Sequence, residues 1–404
     1  MDLKSGCMFW PQVDETIADY PPLDRDLACD VALVGGGITG ALVSYFLCRA
    51  GVDCVILDRR EIGHGSTAAS TGLLQYELDT MLRELVDHVG KDHAVRAYQR
   101  CRAALDDFRD VVNDLGDDCG LTPRPSLYLA TRRDEVDDLR DECELRQSAG
   151  IEVDFLSEAD IARRYSFRRP AGLYSRAAME VDPYRLTHQL LRRSVARGSL
   201  RVFAETEVAR YDAACDADDV VLHTSRGPVV RARRVVFATG YETPAFLGGD
   251  LCTLHGTYAA VSSPLKDFEG WPERCLIWES DRPYFYLRTT RDGRAMLGGE
   301  DEPFADAGRR DALIPQKTVA LQAKFRRMFP AIEAAEMVCA WAGVFAQTPD
   351  GLPYIGTHEK FPRGYFALGY GGNGITFSLI AGQILQDEFL GGRDRDAEIF
   401  RFGR

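Results

Sequence analysis

The sequence predicts an α/β fold, α+β overall, in which a parallel sheet is joined to a second domain with a mostly antiparallel sheet. Three observations predict this fold. Residues 30–58 read as a complete β-α-β unit with a glycine-rich turn. A second glycine-rich turn, with Gly369, Gly371, Gly372 and Gly374, comes just before an apolar, helix-like stretch that includes Ile375, Leu379 and Ile384. Between them, residues 252–337 contain longer strand patterns, with a hairpin signal at Asp292-Gly293.

The first β-α-β unit has the order of a Rossmann-like dinucleotide site. Val31–Val34 form an apolar run typical of a parallel strand buried on both faces. Gly35, Gly37 and Gly40 then give G-x-G-x-x-G. In this pattern the first glycine permits the tight turn, the second lets the backbone approach a pyrophosphate, and the third lets the helix pack on the strand. Asp58 ends the next strand, where a carboxylate can accept hydrogen bonds from ribose hydroxyls.

Composition excludes several classes of function. The 404-residue chain has a formal net charge of -13, which disfavours binding to nucleic acid or to an anionic membrane. No apolar run approaches the roughly 20 residues of a membrane-spanning helix, so we expect a cytoplasmic protein without a membrane span. The eleven cysteines show no C-x-x-C or Cys/His spacing, so neither a disulfide framework nor a metal site is indicated.

The other segments are assigned in chain order. Residues 1–29 lack periodicity but carry several aromatic residues, which suggest an arm pinned to the body. Glu61–Asp79 is rich in small residues and suits a loop lying against a flat cofactor, although a generic loop remains the alternative. Apolar spacing predicts helices over Thr80–Leu115, and Asp182 followed by Pro183 predicts the start of another helix.

Two later features concern the sheets. Arg234–Glu242 reads as a buried strand ending in Ala-Thr-Gly, which can return the chain to the first sheet. Tyr284, Tyr286 and Arg288 share one strand face because side chains alternate; a ligand pocket and a half-solvated sheet face explain them about equally well. The predicted parts are an N-terminal arm, 1–29; a discontinuous dinucleotide-binding domain, 30–80, 150–250 and 340–404; and a substrate domain, 81–149 and 251–339.

With these segments placed, the sequence resembles the flavoprotein family of D-amino acid oxidase and glycine oxidase along nearly its whole length. The matching segments are V-G-G-G-I-T-G with Asp58, G-H-G-S-T-A-A-S-T-G-L-L, V-D-P at Val181, F-A-T-G at Phe237, W-A-G-V-F-A-Q-T-P-D-G-L-P-Y-I-G, and G-Y-G-G-N-G-I. Within the family, Trp10, Pro22-Leu23 and G-Y-G-G-N-G are most similar to the branch of gamma-glutamylputrescine oxidoreductase. The resemblance implies a glutathione-reductase-type FAD fold.

The resemblance also implies how FAD is held. The cofactor-binding residues it indicates are Gly35, Gly37, Ile38, Thr39, Gly40, Asp58, Arg59, Gly65, Ser66, Thr67, Thr71, Gly72, Leu73, Val208, Thr239, Gly240, Gly343, Gly372, Asn373, Gly374, Ile375 and Thr376. Among these, Val208 would contact the adenine, and Gly374–Thr376 would lie along the isoalloxazine. Family members with covalent flavin use a cysteine or a histidine at positions that fall near Gly343 and Ala69, so we expect noncovalent FAD.

The substrate side departs from the family pattern. Glycine oxidases place carboxylate-binding arginines at two positions that are Phe345 and Gly372 here. Tyr286 matches an active-site tyrosine of the family, and Arg288 could receive a carboxylate from another direction. Tyr258 could face the pocket or simply pack. We therefore treat Tyr286, Arg288 and Tyr258 as the candidate catalytic residues.

The implied activity is dehydrogenation of a C–N bond in an amine or amino acid by hydride transfer to flavin N5, giving an imine that hydrolyses. The implied partners are a small-molecule amine or amino acid and O2 or another electron acceptor; the sequence does not indicate an oligomeric state. His64 and His255 lie near the flavin loops and are more often structural than catalytic. Two alternatives remain open: a flavoprotein reductase, although no second nicotinamide fingerprint is found, and a flavin-binding scaffold or sensor without turnover.

Overall fold

The structure, a computed structural model, describes residues 2–14, 18–213, 219–248, 251–332 and 335–404. These residues form eighteen strands. In chain order they are β1 (Lys4–Gly6), β2 (Leu27–Val34), β3 (Cys54–Leu57), β4 (Leu73–Leu74), β5 (Thr122–Ala130), β6 (Asp154–Ser157), β7 (Ala171–Glu180), β8 (Leu200–Phe203), β9 (Val208–Asp212), β10 (Val220–Thr224), β11 (Val229–Phe237), β12 (Thr253–Ser262), β13 (Leu276–Glu279), β14 (Phe285–Thr289), β15 (Ala295–Pro303), β16 (Met337–Gln347), β17 (Tyr354–Thr357) and β18 (Gly364–Leu368).

The same residues form twelve α-helices. They are α1 (Trp10–Val13), α2 (Ile38–Arg49), α3 (Ser66–Ala69), α4 (Leu82–Val89), α5 (Lys91–Leu115), α6 (Val136–Ser148), α7 (Glu158–Arg164), α8 (Pro183–Ala196), α9 (Pro244–Leu247), α10 (Ala307–Ala312), α11 (Ile314–Met328) and α12 (Gly374–Phe389). The helices predicted over residues 80–115 are confirmed as α4 and α5. The start predicted for α8 is confirmed as well, because Asp182 Oδ1 accepts the N–H groups of Tyr184 and Arg185, each at 2.9 Å.

The first sheet is the predicted Rossmann-like sheet. Its order is β17-β18-β11-β2-β3-β8, and β10 and β9 extend from β11. The strands β18, β11, β2, β3 and β8 run parallel to their neighbours, while β17, β10 and β9 pair antiparallel. Helix α2 packs against both α8 and α12. The strand predicted to return the chain to this sheet is confirmed, since β11 lies directly beside β2.

The second sheet is mostly antiparallel, as predicted. Its order is β1-β16-β12-β15-β14-β13-β5-β7-β4, and β6 pairs with β7. Every pairing is antiparallel except that between β13 and β5. Asp292 and Gly293 lie in the turn between β14 and β15, which confirms the hairpin. The two sheets therefore differ in strand direction, as their sequence patterns indicate.

The strand pairing differs from the predicted domain ranges at four strands. Ranges assigned above to the dinucleotide-binding domain contain all or most of β4, β6, β7 and β16, yet all four are strands of the second sheet. β7 pairs with β5, and β16 pairs with β12. These pairings join segments far apart in the chain, and no local pattern indicates which sheet a strand enters. The other domain limits stay predictions.

The N-terminal arm is pinned by aromatic residues, as expected. Phe9 and Trp10 are buried, and Trp10 Nε1 donates to the Ser70 carbonyl at 2.6 Å. The arm also supplies β1 to the edge of the second sheet, beside β16. One expectation is corrected: Cys7 and Cys339 form a disulfide between the arm and β16. Such a pairing has no local sequence signal, because strand pairing brings the two cysteines together.

Most of the other cysteines are buried, as expected for small apolar residues. In the described part of the chain, no helix is both long and apolar enough to cross a membrane. The cytoplasmic location stays a prediction.

Candidate functional site

The glycine turn between β2 and α2 depends on two glycines. Gly35 has φ +114°, and a Cβ there would lie 2.4 Å from the Ala238 carbonyl oxygen. A Cβ on Gly40 would lie 2.0 Å from the Gly35 carbonyl oxygen. Helix α3 holds the start of α2, since the Ile38 N–H donates to Thr67 Oγ1 at 2.9 Å. The turn therefore brings the N-terminus of α2, whose first N–H groups have no partner within the helix, close to β2.

Asp58 lies at the end of β3, where the sequence predicts a ribose ligand. Its carboxylate accepts the N–H of Gly36 at 2.7 Å and the N–H of Arg60 at 2.8 Å. Burial raises the pKa of Asp58, and the two backbone donors oppose that shift. The side chain is thus oriented by the turn that it supports.

Both features open onto a cavity of about 1120 Å³. This exceeds the roughly 300–1000 Å³ typical of small-ligand pockets, as a dinucleotide requires. Predicted cofactor-binding residues in its lining are Gly35, Gly37, Ile38, Thr39, Asp58, Arg59, Gly65, Ser66, Thr67, Thr71, Gly72, Leu73, Val208, Thr239, Gly240, Gly343, Gly372, Asn373, Gly374 and Ile375. Gly40 and Thr376 lie outside the lining. Gly40 packs α2 on the turn, and Thr376 Oγ1 donates to the Gln75 carbonyl at 3.2 Å.

The second glycine turn lies at the start of α12 and is tied to the loop after β4. Asn373 Nδ2 donates to the carbonyls of Gln75 and Glu77, both at 2.9 Å. The Gly372 N–H donates to Asp79 at 2.9 Å. A Cβ on Gly372 would lie 2.9 Å from both oxygens of that carboxylate. The Asp79 carboxylate therefore occupies the space that a side chain at position 372 would enter.

An aromatic face lies in the part of the cavity formed by β14. Tyr284 and Tyr286 both line the cavity, and their ring centroids are 5.7 Å apart. The Tyr286 ring lies over Gly298, where a Cβ would be 2.2 Å from its Cζ. Thr71 Oγ1 donates to the Tyr286 hydroxyl at 3.3 Å. Trp278 also lines the cavity. The sequence-based choice between pocket and solvated sheet face is thus decided for the two tyrosines in favour of the pocket.

Two carboxylates lie close to this aromatic face. Asp79 and Asp301 line the cavity, and burial raises the pKa of both, that of Asp301 to about 6. The Thr257 hydroxyl and the Arg282 guanidinium oppose the shift at Asp301. This part of the cavity carries acidic side chains that the sequence did not single out.

Arg288 points away from the cavity, which corrects its predicted role. Its Nη1 donates to the carbonyls of Thr71 at 3.0 Å, Gly72 at 2.7 Å and Val181 at 2.9 Å. Its Nε lies 3.7 Å from the Glu180 carboxylate. The guanidinium is 2% exposed and is absent from the cavity lining. Arg288 is therefore a positioning residue for the Thr71–Gly72 loop and does not receive a substrate carboxylate.

Tyr258 also lies outside the lining, so the alternative that it simply packs is the correct one. It is 3% exposed and belongs to the core of the second sheet with Phe285 and Ala342. Lys317 Nζ lies 5.5 Å from its ring centroid. Of the three candidate catalytic residues, only Tyr286 reaches the cavity.

Comparison with known proteins agrees with this geometry. The family model described as "DAO: FAD dependent oxidoreductase" matches residues 30–388. The chain belongs to this family. As a DAO-family member it is an FAD-dependent oxidoreductase, and the predicted resemblance is confirmed.

Two relatives illustrate the range of the family. The chain is 27% identical over 375 residues to glycine oxidase from Geobacillus kaustophilus, which covers 89% of this chain and 92% of the relative. It is 24% identical over 393 residues to gamma-glutamylputrescine oxidoreductase from Escherichia coli, and this match covers 94% of this chain and 87% of the relative. The crystal structure of glycine oxidase from Geobacillus kaustophilus has the same fold, with a TM-score of 0.76 at 23% identity over 94% of this chain and 99% of that one.

The cavity of this DAO-family chain fits FAD. The N-terminus of α2 faces it with backbone donors for the pyrophosphate. Ser66 Oγ is buried without a hydrogen-bond partner among the described residues, and Ser66 lines the same region, so a phosphate oxygen suits it. Asp58 offers a ribose acceptor, and Val208 at the start of β9 lines the cavity where adenine is expected.

The lining also fits noncovalent FAD, as expected. Gly343 lines the cavity close to Ala69, and a Cβ on Gly343 would lie 3.7 Å from the Ala69 Cβ. Neither residue offers a nucleophile for a covalent bond to flavin. No cysteine contributes to the lining as far as the structure describes the chain.

The two histidines considered from the sequence differ in position. His64 lies outside the lining, and its Nε2 shares a hydrogen bond with the Tyr184 hydroxyl at 2.9 Å. His255 lines the cavity and stacks on Phe345 with ring centroids 5.2 Å apart. Burial lowers the pKa of both, so both favour the neutral form. The structural interpretation holds for His64.

The sequence did not single out Asp301 because the alternation of side chains along β15 is interrupted at the preceding residue. Glu300 has φ +56°, which the regular strand does not allow. Glu300 therefore turns to Lys324, at 2.8 Å, and Asp301 reaches the cavity. Asp79 was missed for another reason: it lies in the loop before α4, and only its bond to Gly372 brings it to the site. Neither position has a local sequence signal.

The raised pKa of Asp301 predicts a pH-dependent stability of the flavin-free protein. The folded pKa of about 6 lies above the ordinary value of 3.8, so the protonated carboxyl is favoured by folding. This contribution is fully present below about pH 4 and is lost as the pH rises through about 6. Asp301→Asn cannot titrate. We expect its thermal midpoint, relative to that of the wild type, to rise between pH 4 and pH 6.5 and then stay constant; a constant difference throughout would contradict the assignment.

Proposed function

We propose that this chain dehydrogenates a C–N bond of a small amine or amino acid and releases an imine that hydrolyses. The observation that carries the proposal is the continuity of the cavity. It runs from the glycine turn at α2, past the second glycine turn, to the aromatic face of Tyr284 and Tyr286. That leaves room for a small molecule beside the predicted isoalloxazine position. Bound FAD would supply the two-electron acceptor, with hydride delivered to its N5.

The chain's own residues orient the substrate and exclude water. Tyr284, Tyr286 and Trp278 give apolar walls, and Thr71 fixes the hydroxyl of Tyr286. In the reaction the substrate C–H bond breaks and its electron pair leaves with the hydride. The nitrogen lone pair forms the C=N bond, and the N–H proton goes to solvent. The reacting nitrogen must therefore be unprotonated, and water added to the imine gives a carbonyl compound and an amine or ammonia.

The test is anaerobic absorbance of the purified flavoprotein during titration with amines, γ-glutamyl amines, N-methyl amino acids, D-amino acids and proline analogues. We expect one class to bleach the oxidised flavin band. Bound flavin that no compound bleaches would contradict the proposal and favour a scaffold or sensor, and reduction by a nicotinamide donor alone would favour a reductase. Admitting air to the reduced protein then distinguishes O2 from another electron acceptor.

A variant on the substrate side makes the test specific. A Cβ at position 298 would overlap the Tyr286 ring, so Gly298→Ala must displace that ring within the cavity. We expect it to retain FAD and to slow the anaerobic bleaching about tenfold to hundredfold, because small misplacements of this size are costly in catalysis. Gly256→Ala is the matched control, since its Cβ would make an ordinary 3.4 Å contact with Arg310. Equal bleaching rates for both variants would argue against a substrate role for this face.

A further inference from the structure

The part of the cavity between β14 and the second glycine turn holds carboxylates that have no paired cation among the described residues. We call this part, lined by Asp79, Asp301, Tyr284 and Tyr286, the acidic end. Asp79 and Asp301 form no salt bridge with any described residue, and Asp301 Oδ1 is buried without a hydrogen-bond partner among them. Glu77, 5% exposed, lines the same cavity, and its Oε2 likewise lacks a described partner. Buried carboxylate oxygens are costly unless a donor or cation pairs with them.

The neighbouring cations are held elsewhere. Arg288 donates to three backbone carbonyls and is absent from the lining. Lys317 pairs with Glu302 at 2.7 Å and with Glu300 at 3.5 Å. Arg146 bonds through Nε to Glu142 at 2.7 Å, and its charge opposes the rise that burial causes in the pKa of Glu77. Arg146 therefore offsets the charge of Glu77, but none of these three cations forms a salt bridge with Asp79 or Asp301.

Arg282 is the cation nearest to the acidic end. It is exposed at the cavity rim, and its Nη1 donates to the carbonyls of Ser280 and Asp281. Its guanidinium lies 4.8 Å from the Tyr284 ring centroid. This single cation does not balance the two carboxylates Asp79 and Asp301.

The aromatic residues of the acidic end also favour a positively charged ligand. The rings of Tyr284 and Tyr286 are 5.7 Å apart and inclined at 49°. Aromatic faces attract ammonium groups within about 6 Å of the ring centroid. The carboxylates and the aromatic rings therefore both favour binding of a cation.

We propose that the acidic end binds an ammonium group that is not the reacting nitrogen, so that the substrate is a diamine or a longer polyamine. This inference rests on the proposed dehydrogenation. A nitrogen paired with Asp79 and Asp301 keeps its proton and has no lone pair with which to form a C=N bond. The reacting nitrogen must be neutral. The substrate consequently carries two amino groups, one held as a cation and one oxidised.

The first test compares three matched series in anaerobic flavin reduction: α,ω-diaminoalkanes, alkylamines and ω-amino acids of equal length. The terminal group is an ammonium, a methyl or a carboxylate. We expect the diamine to require the lowest concentration for half-maximal reduction, at least tenfold below the alkylamine, and the ω-amino acid to require the highest.

The second test uses variants that keep shape and change charge. Asp301→Asn and Asp79→Asn are nearly isosteric, and an asparagine oxygen at position 79 can still accept the Gly372 N–H. We expect each to raise the KM for the diamine roughly tenfold to hundredfold, the usual cost of a charge-assisted hydrogen bond, with little change for the alkylamine. Arg282→Ala should lower the diamine KM, because it removes a competing cation. Flavin content measured on each variant controls for folding.

A binding test separates this inference from the proposed function. An alkyltrimethylammonium ion has no lone pair and cannot be dehydrogenated, yet it should perturb the oxidised flavin spectrum, and more weakly in Asp301→Asn. If that ion binds in this way but no amine reduces the flavin, the proposed function fails and the acidic end remains a cation site. If ω-amino acids are preferred and Arg282→Ala raises their KM, the inference is overturned while the dehydrogenation stands.

Discussion

Gly40→Ala is expected to abolish tight FAD binding. A Cβ at this position would lie 2.0 Å from the Gly35 carbonyl oxygen, a backbone atom that cannot rotate away. The helix start must then move away from the strand, and its N–H groups move with it. Overpacking of this kind costs about 1–3 kcal/mol or more, which corresponds to a roughly tenfold to hundredfold rise in the Kd for FAD. Titration of the flavin-free protein with FAD measures the change.

The control for this variant is Gly256→Ala, which adds the same methyl group where there is room. We expect it to bind FAD with wild-type affinity. Wild-type affinity for Gly40→Ala as well would show that the approach of α2 to β2 is not what holds the pyrophosphate.

Arg288→Met is expected to destabilise the fold by about 3–5 kcal/mol, as the loss of one partner from a buried ionic network does. The carbonyls of Thr71, Gly72 and Val181 would lose their shared donor, and Glu180 would lose one of its cations. Thermal unfolding measures the change. We also expect weaker FAD binding, because the Thr71–Gly72 loop lines the cavity.

Arg291→Met provides the matched control for this prediction. Arg291 pairs with Asp118 at 2.8 Å, but both side chains are largely exposed, and such pairs contribute about 0–1 kcal/mol. A substrate-binding role for Arg288 predicts a different outcome. In that case Arg288→Met would raise the KM for carboxylate-bearing substrates alone and leave the thermal midpoint unchanged.

Strand alternation predicted which residues share a face but not how deep each side chain lies. Tyr284, Tyr286 and Arg288 do share a face of the second sheet, yet only the tyrosines reach the cavity. The covering segment makes the difference, because the carbonyls of Thr71 and Gly72 lie over Arg288 and bind it. A periodic pattern contains no information about the segment that packs on top of it.

The sequence by itself determined the cofactor half of this protein. Gly35, Gly40 and Asp58 act within one β-α-β unit, so their spacing alone states the turn, the close packing and the ribose acceptor. Local geometry of this kind can be predicted from the local sequence.

Only the tertiary structure decided the substrate half. Asp79 comes from a loop before α4, Tyr286 from β14, and Asp301 from a break in β15. The disulfide of Cys7 and Cys339 likewise depends on the pairing of β1 with β16. These groups meet because strands distant in the chain pair with one another. The negative charge of the acidic end therefore comes from side chains of several segments that are far apart in the sequence.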